Sequence, residues 1–418
     1  MDTMAKSLLE EIRSFPVIDA HEHLPEEDTL GARDLFSSGM LSYFITDLIG
    51  AGMTWSQYND VVNFDIPVED RWKILEPYWE NARYTGYGMC TERSLAELYG
   101  VDRLDASTVV EAQKRYCEAN NKSGHYYHVL HEVGGIEVSV NDMINDMKFC
   151  VDPLFRFVGR IDDLVEEKDP EKLLEFGNRQ GVKIDCLADY ELACEKYIDS
   201  LIEQGHIGLK CTLAYRRPLL FKEVPRQKAE ELFRRLMGNE FAQEHREDHL
   251  ELQDYLMHFV LGLANERKMF LQLHTGIQAG CGMVTDTNPM LLNNLFLKYP
   301  DLRFDLFHIG YPYQTQIGAV VKMFPNVFVN LCWANIISPV ASVRALEEWL
   351  TLMPVNKITG FGGDSLAVDV VLGHLRMAQE NIAKALSFHV NDGTFSRKEA
   401  LRIGKRLLYD NPKELYKL

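Results

Sequence analysis

From about residue 134 the chain follows one rhythm: a short apolar run, then a helical stretch, repeated. The apolar runs are Gly135–Val140, Phe155–Ile161, His206–Thr212, Met269–Gly276, Leu302–Gly310, Val327–Trp333 and Ile358–Asp364. A further run, Val17–Ala20, precedes them near the start. Continuous apolar runs fit strands buried on both faces, which is the signature of a parallel sheet. Eight such strands, each followed by helical sequence, predict a (β/α)8 TIM barrel. The 418 residues suffice for one barrel, so residues 1–418 are expected to form a single domain.

The stretch between the first two strands, about 25–130, is too long for an ordinary connection. It is rich in aromatics (Trp55, Trp72, Trp79, Tyr84, Tyr87 and Tyr99 among them) and carries helical periodicity around Arg71–Tyr84 and Thr108–Asn120. It reads as a mostly helical insertion. Because it leaves the barrel beside the end of strand one, it is placed to wall or cover whatever lies there.

Barrel enzymes carry their chemistry at the C-terminal ends of the strands. Here those ends carry ionisable residues. Strand one runs into His21-Glu22-His23, and residues i and i+2 of an extended chain face the same way, so the two imidazoles aim at one point. Lys210 ends strand four, His274 strand five, His308 strand six and Asp364 strand eight. Closing a barrel sets strand eight beside strand one, and therefore Asp364 beside His21 and His23. Three imidazoles (His21, His23, His274) and the Asp364 carboxylate form a borderline-soft N/O set that suits Zn²⁺, with Mn²⁺, Fe²⁺ or Ni²⁺ as alternatives. His308 reads either as a ligand of a second ion or as an unligated histidine bonded to a substrate oxygen. Lys210 reads as a cation that stabilises developing negative charge. Arg216 and Arg217, just beyond it, and Arg160, near the end of strand three, are candidate carboxylate-binding residues, since a guanidinium pairs bidentately with a carboxylate. The substrate is thus expected to be a small anionic molecule.

His21-x-His23, Lys210, His274, His308 and Asp364, in this order, resemble the metal-site pattern of the amidohydrolase superfamily. The wording of Gly208–Arg216, Leu271–Gly276 and Pro325–Val329 is similar to the amidohydrolase-related (type 2) branch, closest to the amidohydrolase-like domain found fused to glutamine-synthetase-like domains. The resemblance implies a hydrolase in which a metal-activated water attacks an amide or ester carbon, with Asp364 both ligating and moving the proton. It implies one ion, or two if Lys210 is carboxylated and bridges them. The same branch includes non-oxidative decarboxylases, and the Gln272-Leu-His274 wording with the long insertion also resembles uronate isomerases, aldose–ketose isomerases of the same superfamily, from whose pattern His308 departs.

Other features are discounted. His125, His128 and His131 drift around a helix, and His245-Arg-Glu-Asp-His249 lacks the glutamate of a metalloprotease helix. Gly86-Tyr-Gly88 follows no strand and is not a dinucleotide loop. A net charge of −18 argues against nucleic acid as a partner. No apolar run is long enough for a membrane span, and no secretory leader is read at the N-terminus. The eight scattered cysteines contain no Cys-x-x-Cys pair and read as reduced thiols. A cytoplasmic homo-oligomer is the expectation.

Overall fold

The computed structural model describes residues 1–27, 34–36, 39–41, 43–142, 153–238 and 246–418. Its strands are β1 (Val17–Glu22), β2 (Ile136–Asp142), β3 (Phe155–Arg160), β4 (Gly208–Cys211), β5 (Phe270–Leu273), β6 (Arg303–Leu306), β7 (Val327–Asn330) and β8 (Ile358–Thr359). Neighbours in the chain are neighbours in the sheet, and every pair is parallel. Beyond β8 the backbone returns to β1: Ala20 N donates to Phe361 O (3.2 Å), Asp364 N to His21 O (2.8 Å) and His23 N to Ser365 O (3.0 Å). The expected (β/α)8 barrel is the observed fold.

Every residue of β1, β4 and β5 is buried, as apolar runs covered on both faces require. The helices pack outside. The amphipathic lead-in helix, Thr3–Ile12, buries Ala5, Leu8, Leu9 and Ile12, and the long helix Val368–Asn391 buries nearly its whole length. Among the described residues, no helix is long and apolar enough to cross a membrane.

Most sequence-read strands run past the hydrogen-bonded ladder at their C-terminal ends. His274 stands one residue beyond β5, His308 two beyond β6, and Asp364 five beyond β8. The ladder stops there because the backbone turns inward to form the site. His308, Ile309, Trp333 and Asp364 all take left-handed backbone angles, with φ of 63°, 52°, 58° and 54°. Residues with side chains adopt this region at a cost and chiefly where the surroundings impose it.

The insertion is helical as expected, with Phe44–Gly50, Trp55–Val61, Val68–Ala82, Gly86–Tyr99 and Val109–Asn120. It builds its own core around Phe44, Trp72, Leu75, Trp79 and Tyr116, and that core continues without a break into Phe307, Cys332 and Trp333 at the barrel mouth. The contact between the two is tight. A Cβ on Gly86 would lie 1.9 Å from the carbonyl oxygen of Ile336, backbone against backbone. Gly86→Ala is therefore expected to lower stability by about 1–3 kcal/mol, read as a shift in urea midpoint. Gly50→Ala, which meets nothing within 4 Å, should not destabilise.

Candidate metal centre

The site begins with an irregularity in β1. Asp19 pairs with Ser139 and Glu22 with Asn141, so β1 has one residue more than β2 between those two points. This bulge lets two consecutive residues turn inward, the usual way such an insertion re-aims a side chain. Ala20 packs inside the barrel with Val140, Val158 and Phe270. His21, the next residue, also faces the interior, and His23 follows on the same side. Their Nε2 atoms reach the same oxygen: Asp364 Oδ1 lies 3.7 Å from His21 Nε2 and 3.1 Å from His23 Nε2. The other oxygen, Oδ2, lies 3.7 Å from His308 Nε2.

Each imidazole is held by its other nitrogen. His21 Nδ1 is 2.9 Å from Gln272 Oε1, His23 Nδ1 is 2.9 Å from the carbonyl of Asp142, and His308 Nδ1 is 2.9 Å from the carbonyl of Cys332. For His21 and His308 the partner is an acceptor, so Nδ1 carries the hydrogen and Nε2 the lone pair; His23 faces an acceptor with each nitrogen, the Asp142 carbonyl and Asp364 Oδ1, and can donate to both while no cation is bound. His274 is reversed. Its Nε2 faces the carbonyl of Ile277 (2.9 Å), which leaves the lone pair on Nδ1, 3.0 Å from His308 Nε2. Two lone pairs that close repel unless a proton or a cation lies between them.

A proton is disfavoured there. Burial pushes the pKa of His308 down to about 4, against the pull of Asp364. Burial, and then the charge of His308 and Lys210, push His274 well below the ordinary imidazole range. Burial does the same to His21, whose Nε2 has no hydrogen-bond partner at all. Burial works to raise the pKa of Asp364, but the hydrogen bond and charge of His23, with His308 and His21, outweigh it and hold the carboxylate well below its usual range. A buried carboxylate with the His21, His23, His274 and His308 imidazoles gathered at its side is the donor set that a divalent ion requires. The residues present fit such an ion, with His21, His23 and Asp364 on one side and His274 and His308 on the other.

The segment carrying Asp364 is clamped to the back of β1. Asp19 Oδ1 accepts from Gly363 N (3.1 Å) and Glu22 Oε2 from Ser365 N (2.7 Å). Burial raises the pKa of both carboxyls, Asp19 to about 6 and Glu22 well above its usual value, where the charge of Asp19 adds to the effect. A Cβ on Gly363 would fall 1.7 Å from Glu22 Oε1, so only glycine permits this approach. From the insertion, the Tyr43 hydroxyl donates to the carbonyl of Asp364 (2.5 Å).

The remaining cations differ in their placement. Lys210 is buried with its Nζ 3.7 Å from the centre of the Phe307 ring, and burial lowers its pKa against the opposing pull of Asp364 and Asp142. Arg160 pairs with Asp142 (2.8 Å) beside His23 and is partly open to solvent. Arg216 is half-exposed and paired with Glu166. Arg217 departs from the sequence expectation. Its guanidinium is buried against Asp254, Gln253 and the carbonyl of Leu220, so its donors hold the loop to the helix Arg246–Glu266 instead of a substrate.

Three residues escaped the sequence reading. Asp142, the last residue of β2, forms with His21 and His23 one of two groups of metal-compatible donors within 4.8 Å of one another among the described residues; His308, Cys332 and Asp364 form the other. The rule that found Asp364, an ionisable residue at a strand end, would have found Asp142 had that strand been carried two residues past Val140. Gln272 shares a strand face with His274 by the i, i+2 rule. Cys332 carried no such signal. The discounted histidines serve elsewhere: His125 bonds Asp369 (2.9 Å), His128 bonds Glu132 (2.7 Å) and His131 the carbonyl of Ile136 (3.0 Å). His245 and Cys150 lie outside the described residues, and the other seven cysteines are free thiols.

Residues 229–418 match the model of the Amidohydro_2 family, described as amidohydrolase. Protein fluG of Emericella nidulans is 24% identical over 229 residues, which is 53% of this chain and 26% of that protein, so the match spans about a quarter of the relative's length. Among solved structures, the chain is similar to uronate isomerase of Thermotoga maritima (TM-score 0.83, 15% identity, 100% of this chain and 98% of that one). It is also similar to glucuronate isomerase of Caulobacter crescentus (0.81, 16%, 99% and 94%) and to a presumed metal-dependent hydrolase of Lactobacillus casei (0.67, 18%, 98% and 97%). At such identities the structural likeness is one of fold. The sequence matches support placement in the amidohydrolase-related superfamily.

Asp364→Asn removes the anionic donor and keeps its shape. Its zinc affinity in a chelator competition should fall roughly tenfold or more, with the far-UV circular dichroism unchanged; affinity equal to the unaltered protein would refute the assignment.

Proposed function

We propose that the protein is a metal-dependent hydrolase acting on an amide or ester bond of a small, carboxylate-bearing substrate. The observation that carries this reading is the convergence of the Nε2 atoms of His21, His23 and His308 on the two oxygens of Asp364, with His274 Nδ1 3.0 Å from His308 Nε2. A divalent ion bound there would lower the pKa of a water towards about 7 and polarise a carbonyl. The match to the amidohydrolase family over residues 229–418 supports hydrolysis as the use made of that chemistry.

The chain's own groups supply the rest. Asp364 stays ionised and is positioned to accept the proton of the attacking water. Lys210, dry and under the electrostatic pull of Asp364 and Asp142, offers positive charge to an oxyanion. In a water-poor site such a donor is worth far more than in solution. His308, with its Nδ1 hydrogen fixed on the carbonyl of Cys332, presents Nε2 to the reacting centre. Arg160, already beside the site, is the arginine best placed to meet a substrate carboxylate. The aromatic wall of Tyr43, Tyr87 and Trp333, with Tyr87 and Trp333 stacked at 15°, limits access from the insertion side.

A second reading, aldose–ketose isomerisation of a uronate, is favoured by one observation: the likeness to uronate isomerases extends over the full chain, helical insertion included. The two readings separate on labelled water. Hydrolysis places ¹⁸O from solvent in the carboxylate product; isomerisation leaves product and substrate equal in mass; carbon dioxide release would instead indicate decarboxylation. Lys210→Met should lower kcat by about 10²–10³-fold while metal content per chain stays the same. An undiminished kcat would remove Lys210 from the chemistry.

A further inference from the structure

The sulfur of Cys332 stands at the metal centre, and the proposed reaction gives it no role. Cys332 lies two residues beyond β7 and is fully buried. Its backbone is fixed on both sides. The N–H donates to Asn330 Oδ1 (2.9 Å), and the carbonyl accepts from His308 Nδ1 (2.9 Å). The next residue, Trp333, is held in the left-handed region (φ 58°), with its N–H on the carbonyl of Gly362 (2.9 Å). This turn lays the cysteine side chain against Gly362. A Cβ on that glycine would lie 3.0 Å from both Cys332 Cβ and Sγ and 3.2 Å from His21 N, so its bare Cα leaves the sulfur room beside β1.

The sulfur is thereby brought to the carboxylate. The donor atoms of His308, Cys332 and Asp364 lie within 4.8 Å of one another, and all three residues are buried. His21 Nε2, wholly buried and without a hydrogen-bond partner, is aimed at the same carboxylate from 3.7 Å. Cys332 meets His308 twice: its carbonyl orients the imidazole, and its side chain stands near the remaining nitrogen.

We propose that Cys332 is a ligand of the metal ion, bound as a thiolate beside His308 and Asp364. A coordinating thiol is deprotonated: a sulfur–metal bond replaces the S–H bond, and the proton leaves to solvent. A thiolate is a soft donor, so it moves the preference of the site towards Zn²⁺ and away from Mn²⁺, which favours carboxylate and water. The competing role is packing alone. Cys332 also belongs to the apolar core shared by the insertion and the barrel mouth, and a free cysteine can fill such a place as a small hydrophobe. A bond from sulfur to metal separates the two. Such a bond presupposes the metal centre described above, whatever reaction that centre serves.

The test uses the full chain, stripped of metal and loaded with Co²⁺ alone. Visible d–d bands report binding, and an intense near-ultraviolet band reports charge transfer from thiolate to cobalt. The unaltered protein should show both. Cys332→Ser should keep the d–d bands and lose the charge-transfer band, and its zinc affinity should fall by more than its manganese affinity. Cys281→Ser, which removes an exposed thiol, should leave every band in place. If Cys332→Ser does not fold, zinc-edge X-ray absorption of the unaltered protein carries the test: a sulfur shell at about 2.3 Å is expected beside nitrogen and oxygen at about 2.0–2.1 Å. Cobalt bound without the charge-transfer band, a band that survives in Cys332→Ser, or a zinc spectrum without sulfur overturns the thiolate ligand and leaves the metal centre standing. A chain that takes up neither cobalt nor zinc overturns both.

Discussion

Four imidazoles, three buried and His23 partly so, each with one nitrogen tied to a fixed oxygen acceptor, are the constraint on which the site depends. Neutral histidine has one donor and one lone pair, and assigning the first assigns the second. Gln272 and the carbonyls of Asp142, Cys332 and Ile277 take the donors, so the lone pairs are left to meet. Burial then keeps the His21, His274 and His308 rings neutral, because an imidazolium in a dry barrel loses its hydration. The result is a cluster that is electrostatically incomplete on its own and complete around a cation.

Holding that cluster requires backbone conformations that an ordinary strand does not adopt. The bulge in β1 turns Ala20 and His21 inward in succession. The left-handed angles at His308, Trp333 and Asp364 bend the ends of three strand segments over the mouth. These departures are held in place by their surroundings. Asp19 and Glu22 anchor the segment around Asp364 from behind, Tyr43 grips its carbonyl from the insertion side, and Tyr416 and Asp305 set the floor. Local strain at a functional site, offset by a well-determined surround, is a common arrangement.

The insertion also has a clear physical role. Its core merges with Phe307, Cys332 and Trp333, so the wall of the site belongs to the same packed unit as the helices of the insertion. A movable flap would need a weaker boundary. Packing of this density ties the position of Tyr43 and Tyr87 to the strand ends they face.

Much was legible in the chain itself. Apolar runs alternating with helical stretches dictate a parallel barrel, because only strands covered on both faces are apolar throughout. The i, i+2 spacing of His21 and His23 sets two imidazoles on one side, and closure of any eight-stranded barrel brings Asp364 to them. What the sequence alone could not decide were features of atomic direction and competition: the bulge, the tautomers, the selection of Gln272 and Asp142 as partners, and the loss of Arg217 to Asp254. A spacing rule states which residues share a face, but hydrogen-bond choice depends on which donors and acceptors arrive within about 3 Å. Only the folded chain, with residues hundreds of positions apart competing for the same atoms, settles that.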